Sequence, residues 1–235
     1  MSPVEIGWRL AAAIIVGYLL GSIPSGVLVS RLVGKGDPRA AGSGKTGATN
    51  VLRTLGRGPA AVVVVVDVLK GVAAVLLVRY VFFGALGGAH AGSMNAQTFA
   101  LIRDSLEALA ALAAVLGHNY SIFIRFTGGR GVLTGAGALV TMSPLATLFG
   151  FVAAVTPIYL TRYVSLGSLM GAVLSILTDL TLAILHLDSW PHFAFILVGG
   201  AFVIISHKDN IERLRNGTER KLGEPAHETA QPAAK

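Results

Sequence analysis

GVLTGAGALVTMSPLATLFGFVAAVTPIYLT, residues 131–161, runs for 31 residues without a charged side chain. As a single α-helix it would be about 46 Å long at 1.5 Å per residue, whereas bilayer hydrocarbon is about 30 Å thick. The stretch therefore reads as two membrane crossings. Pro144 lacks an N–H for a helix and biases Ser143 before it away from helical angles. The chain is expected to turn there, leaving a short crossing at 131–142, about 18 Å long, and a fuller one at 145–161.

The composition agrees with a bilayer as solvent. Of 235 residues, 53% are hydrophobic and 13% charged, against about a quarter charged in an ordinary soluble domain. So few charges cannot cover a water-soluble surface of this size. The apolar content excludes a disordered chain, and the 29 glycines follow no Gly-X-Y period. Cysteine is absent, which excludes a disulfide framework, a thiol nucleophile and a Cys-based metal site. The net charge of +7 would suggest nucleic acid in a soluble protein. Here it reads as basic cytoplasmic loops and attraction to anionic lipid or phosphate.

Further crossings are expected at 10–30, 58–78, 108–124, 163–187 and 189–206, with Asp104 and Glu107 at the start of the third and Pro191 in the last turn. The fold class is thus an all-α integral membrane protein of seven transmembrane helices. The basic residues orient it. With the N-terminus outside, the outer side holds Arg9, Arg79 and Arg103, Lys70 lies within a span, and the other fifteen Lys and Arg fall inside. That asymmetry puts the C-terminus in the cytoplasm. A single crossing at 131–161 would strand the basic tail outside. Residues 1–221 form one domain, 222–235 read as a disordered tail, and 84–98 as an exterior loop. His90, His186, His192, Trp8 and Trp190 fall near outer turns and read as interfacial residues without chemistry.

Three polar segments share the cytoplasmic face: 34–57, containing AGSGKTGATNVLRTLGR, GHNYSIFIRFTGGRGVLT at 117–134 and SHKDNIERLRNGTERK at 206–221. Each combines cations with flexible or hydrogen-bonding residues. Glycine lets backbone N–H groups approach a phosphate, and Arg adds a bidentate fork. Any one segment alone would be a turn carrying topology signals; three on one face suggest an anion site. Other chemistries fail on spacing. The first glycine of a P-loop would fall at Arg39, and no His pair has zinc-hydrolase spacing. The His-x4-Asp pattern of the large glycerolipid acyltransferase superfamily is missing after both His118 and His207. Asp67 and Lys70, three apart in mid-span, share a helical face and must turn inward, as an ion pair or as the lining of a polar cavity.

Six motifs then occur in order: GSIPSG at 21–26, GSGKTGATNVLR at 42–53, DVLKG at 67–71, GHNYSIF at 117–123, GGRGV at 128–132 and HKDNIERL at 207–214. Together they resemble the bacterial acyl-phosphate:glycerol-3-phosphate acyltransferase family over about 10–221. The resemblance implies a seven-helix enzyme of the bacterial cytoplasmic membrane, its active site on the cytoplasmic face. It would move an acyl group from acyl phosphate to the 1-hydroxyl of sn-glycerol 3-phosphate, making 1-acylglycerol 3-phosphate for phospholipid synthesis. The family's functional serine and arginine fall on Ser43 and Arg53. Its glycine-rich glycerol-phosphate loop falls on Gly128, Gly129, Arg130 and Gly131, and its histidine and asparagine on His207 and Asn210. Its structural glutamate falls on Glu219.

The full expectation adds Gly42, Gly44, Lys45, Thr49 and Asn50 around the phosphates, with Asp67, Lys70, His118 and Asn119 lining a cavity or supporting it. Lys45, Thr127 and Arg130 depart from the family's usual Asn, Lys and Lys, and Lys45 could restore the charge lost at Thr127. An acyl phosphate is already an activated anhydride, so no covalent intermediate is required. Arg53, Arg130 and Lys45 would offset charge, while Ser43 and loop N–H groups orient phosphate. His207 and Asn210 would position the acceptor or polarise the carbonyl. Either His207 or the acceptor's own phosphate would take the hydroxyl proton. No metal or cofactor is called for. The partners are the two substrates and membrane lipids, without nucleic acid, and a monomer is the working expectation. The alternative function is a transporter or flippase for a phosphorylated solute or lipid.

Overall fold

The computed structural model describes residues 2–85 and 95–224. His90, most of the expected exterior loop and positions 225–235 of the expected tail lie outside the described residues. The helices are α1 (Pro3–Ser22), α2 (Ser25–Leu32), α3 (Ala48–Leu55), α4 (Arg57–Leu76), α5 (Ala96–Asn119), α6 (Val132–Met142), α7 (Pro144–Thr161), α8 (Val164–Ile184), α9 (Trp190–Ser206) and α10 (Lys208–Arg215). Four stretches, Pro3–Leu32, Arg57–Phe83, Pro144–Thr161 and Val164–Ile184, are long and apolar enough to cross a membrane; α9 with α10, bent by 57°, makes a fifth. The architecture is that of an all-helical integral membrane protein.

The turn expected at Ser143 and Pro144 is present, and α6 is the short apolar helix of the set. Three boundaries differ from the sequence reading. The first apolar stretch is broken at Ile23 and Pro24, by the chemistry that operates at Pro144. The freed Ile23 carbonyl accepts from Lys70 Nζ at 3.3 Å. Next, α4 runs on into wider π-helical turns over Leu77–Ala85, and Arg9 of α1 donates to Phe82 O there. Finally, α5 begins at Ala96, so Asp104 and Glu107 are not at its start; both are buried well inside it.

Close backbone approach sets the packing. A Cβ on Gly21 would lie 2.0 Å from Ala114 O, and one on Gly17 2.4 Å from Ala110 O, so α1 and α5 run in the same sense. Gly150 faces Ser175 while Gly167 faces Ala154, so α7 and α8 are antiparallel. Glu107, midway along α5, neighbours His192, and Asn119 at its C-terminal end meets Ser206, placing α9 parallel to α5. Between the ends lies an apolar cluster that includes Val75, Ala111, Val115, Leu139, Phe195 and Ile196.

One end is closed by charge pairing. Arg79 grips both oxygens of Glu107 at 2.6 and 2.9 Å and donates to Thr141 O at 3.2 Å. Arg103 meets Asp104 at 2.8 Å. His192 Nδ1 lies 2.8 Å from Asp188, and its Nε2 lies 3.6 Å from Glu107. The expectation of an interfacial His192 without chemistry is therefore corrected: the ring is buried in an ion network. His186 is exposed, and Trp8 and Trp190 are 44% and 53% exposed, as suits the headgroup belt.

Candidate active site

The opposite end gathers the three polar segments. In the first, Asn50 is the organiser: its Oδ1 accepts from Ser43 N at 2.8 Å, and its Nδ2 donates to Pro38 O, Ala41 O and Lys45 O at 2.7, 3.2 and 2.9 Å. One buried amide thus folds the 38–45 loop, with Gly42 and Gly44 at positive φ. Asn50 borders the cavity, but its polar atoms are committed to that loop. Ser43 and Lys45 line the cavity, as do Thr49 and Arg53, one turn apart on α3. The apolar side of α3 buries Val51 against Val29, Ala60 and Val63.

The second segment is fitted to the end of α5. Gly129 N donates to His118 O at 3.1 Å, and Thr46 N donates to Gly128 O at 3.4 Å, tying the first two loops together. A Cβ on Gly129 would lie 1.9 Å from His118 Nε2, so only glycine lets the loop sit on the imidazole. Gly131, at φ +77°, turns the chain into α6. Arg130 lines the cavity and is steadied by Ser206 O, 3.3 Å from its Nε.

Behind the loop stands a buried array. Asp67 Oδ1 meets Lys70 Nζ at 2.8 Å and accepts from Ser25 Oγ at 2.7 Å. Lys70 Nζ lies 2.7 Å from His118 Nδ1. Asp67 and Lys70 pair, and Asp67 and His118 border the cavity while Lys70 does not line it. Asn119 Nδ2 donates to Ser206 Oγ at 3.4 Å, and its Oδ1 has no partner among the described residues.

In the third segment, His207 Nδ1–H donates to Val203 O at 2.7 Å, which leaves Nε2 as the lone-pair nitrogen of a cavity-lining ring. Asn210 Nδ2 and Ser165 Oγ donate to Glu219 Oε1 at 2.7 and 2.9 Å, and Arg213 Nε to Oε2 at 2.8 Å. Glu219 is thus a clamp between α8, α10 and the chain beyond α10. Burial works against its charge, but those three donors outweigh it and hold Glu219 below the usual carboxylate range.

A cavity of about 560 Å³ runs from this polar end along α4, α6, α7, α8 and α9. It adjoins a smaller chamber of about 140 Å³ lined by Lys45, Arg53, Arg130, Arg213 and Arg220 against Asp209 and Glu219. The positive charges are crowded. Burial, reinforced by Arg220, pulls Arg53 below the ordinary guanidinium value; burial and Arg213 do the same to Arg130. Arg53 Nε and Arg220 Nη1 are buried without partners among the described residues. Such a chamber suits a phosphate, which supplies both counter-charge and acceptors. Burial also pulls His207 down to about 4, against the opposing Val203 hydrogen bond and with added repulsion from Arg130.

Arg213 and Arg220 had no assigned place in the sequence reading, because a loop arginine looks the same whether it orients the chain or binds a ligand. Thr127 itself sits beside Arg39, which donates to its hydroxyl and to Ile124 O and is paired with Asp37. Lys45 is left to the chamber. At the far end, Asp104, Glu107 and His192 bring ligand atoms within 4.8 Å of one another, but Arg79 and Arg103 already neutralise those carboxylates.

Fold and site define an integral membrane protein with an amphiphile-shaped cavity, cationic at one end and apolar along the rest. Residues 11–217 match the family model described as Glycerol-3-phosphate acyltransferase. The chain belongs to that family. It is 44% identical over 227 residues to the glycerol-3-phosphate acyltransferase of Trichormus variabilis, covering 94% of this chain and 96% of the relative. It is 43% identical to that of Thermus thermophilus (strain ATCC 27634), covering 90% and 94%. Among solved structures it resembles PlsY (YgiH), an integral membrane glycerol 3-phosphate acyltransferase. The glycerol 3-phosphate form gives a TM-score of 0.74 at 32% identity, covering 91% of this chain and 96% of that one. The lysophosphatidic acid form gives 0.72 at 31%, covering 91% and 95%.

Proposed function

We infer that the protein transfers a fatty acyl group from acyl phosphate to the 1-hydroxyl of sn-glycerol 3-phosphate. The hydroxyl oxygen attacks the acyl carbon, inorganic phosphate leaves, and 1-acylglycerol 3-phosphate is released to the bilayer. The observation that carries this reading is the two-ended cavity: a five-cation chamber opening into an apolar groove within one chain. Because one chain supplies the whole lining, a monomer suffices. The groove ends on the buried core at Leu139, Phe195 and Ile196 instead of passing through, which favours an enzyme over a transporter or flippase.

Arg53, Arg130 and Lys45, with Arg213 and Arg220, offset the charge of two anionic substrates that would otherwise repel. Ser43 and the N–H groups of the glycine loop other than that of Gly129, which His118 O takes, orient phosphate. Asn210 offers its free Oδ1, and His207 its Nε2, to the acceptor. A histidine pulled to about 4 is neutral at pH 7 but a weak base, so the acceptor's phosphate dianion is the better proton acceptor and His207 positions the hydroxyl.

Seven crossings with the N-terminus outside remain the reading of the topology. The parallel sense of α1, α5 and α9, and the opposed α7 and α8, support it. The positive-inside count supports a chamber on the cytoplasmic face. The test is an assay in liposomes with glycerol 3-phosphate and either acyl phosphate or acyl-CoA. Ester formed from acyl phosphate alone is expected; ester from acyl-CoA alone, or none from folded protein, overturns the assignment.

A further inference from the structure

The apolar arm of the cavity has a measurable depth. Three helices line it along single faces: α7 from Ile158 back to Thr147, α8 from Val164 to Ser175, and α9 from His207 back to Phe195. At 1.5 Å per residue these runs span about 16, 16 and 18 Å. The hydroxyls along them do not face a polar ligand. Ser168 donates to Val164 O, Thr147 to Ser143 O and Ser175 to Ala146 O, so the wall presents hydrocarbon. The inner end is shut: Phe195 and Ile196 are 5% and 4% exposed and belong to the central apolar cluster. One turn nearer the chemistry, Gly199 leaves the groove open, and a Cβ there would meet only the Phe195 ring, at 3.5 Å.

We propose that Phe195, as the floor, and Gly199, as the opening before it, gauge the length of the acyl chain and set it at about fourteen carbons. The proposal rests on the acyl-transfer reading above. Carbon–carbon bonds of about 1.5 Å at tetrahedral angles advance an extended chain about 1.25 Å per carbon. A depth of 16–18 Å therefore holds about 13 or 14 carbons beyond the reacting carbonyl. A longer saturated chain must fold back or leave methylenes outside the groove, where they lose its packing contacts.

The test compares kcat/KM for decanoyl, dodecanoyl, tetradecanoyl, hexadecanoyl and octadecanoyl phosphate in the parent, Gly199→Leu, Gly199→Ala and Phe195→Ala. The readout is the ratio between lengths, which does not depend on how much of a preparation is active. The parent is expected to peak at tetradecanoyl phosphate. Gly199→Leu fills the groove above the floor and should raise the dodecanoyl-to-hexadecanoyl ratio at least about tenfold. Gly199→Ala should shift it in the same direction by less. Phe195→Ala lowers the floor and should raise the octadecanoyl-to-tetradecanoyl ratio by about tenfold. An active parent whose length profile is unchanged in the variants overturns the gauge alone. A folded parent that esterifies glycerol 3-phosphate with none of these donors overturns the acyl-transfer reading, and the gauge with it.

Discussion

Arg53 illustrates how one side chain is prepared for a ligand. It lies on α3, is pressed by Arg220, and keeps a buried Nε without a partner among the described residues. A charge-assisted hydrogen bond to phosphate is worth about 1.5–3 kcal/mol. Arg53→Ala should therefore lower kcat/KM for glycerol 3-phosphate roughly 10- to 150-fold, with Arg53→Lys recovering part of it; unchanged steady-state kinetics would remove Arg53 from the site. His207 makes a sharper case, because its protonation can be separated from its position. With a pKa near 4 it loses its proton well below neutrality, whereas a phosphate monoester has a second pKa of about 6. If the acceptor's phosphate takes the proton, kcat/KM rises as pH increases through about 6. His207→Gln should then keep that acid limb while losing roughly tenfold in amplitude. Disappearance of the limb in His207→Gln would make the imidazole the base after all.

The elements show why some of this was legible and some was not. The break at Pro144 could be read because 31 uncharged residues overfill one crossing; Pro24 carries the same chemistry, but its stretch is short enough to pass for one helix. The start of α5 was hidden by Asp104 and Glu107, whose charges look like a membrane boundary until Arg103 and Arg79 are known to neutralise them. The residues of α3 and α10 were read as polar segments, since helices of eight residues owe their order to tertiary packing and span too few turns for their periodicity to stand out. Asn50 could be nominated but not assigned, because nothing local tells which way an amide faces. The support of the glycine loop by Asp67, Lys70 and His118 was half visible as a spacing of three. Removing its cation tests it. Lys70→Met leaves the buried Asp67 with only Ser25 and, 3.5 Å away, His118, and breaking such a buried pair costs about 3–5 kcal/mol. Adding Asp67→Asn should recover much of that loss, because the charge needing compensation is gone. Denaturation of the three variants in detergent measures the coupling; additive losses would mean that the pair does not act as a unit.

Across the whole molecule, charge is confined to two ends separated by the apolar cluster, and the ends differ in kind. The Arg79–Glu107, Arg103–Asp104 and His192–Asp188 pairs balance one another and leave little for a ligand. The other end brings five cations against two acids around one chamber, an imbalance that bound anions would offset. Orientation then decides whether those anions can be reached, since both proposed substrates are charged and would be supplied from the cytoplasm. The absence of cysteine allows a direct measurement with single introduced thiols. Leu187, 71% exposed between α8 and α9, lies at the balanced end, and Arg215, exposed on α10, lies at the cationic end. In intact cells a membrane-impermeant maleimide should label Leu187→Cys, while Arg215→Cys should react only after permeabilisation. The opposite pattern would put the cationic chamber outside and the N-terminus inside, against the fifteen-to-three distribution of basic residues. Labelling of both thiols from outside would mean an even number of crossings between Leu187 and Arg215, and α9 could not then be a membrane span.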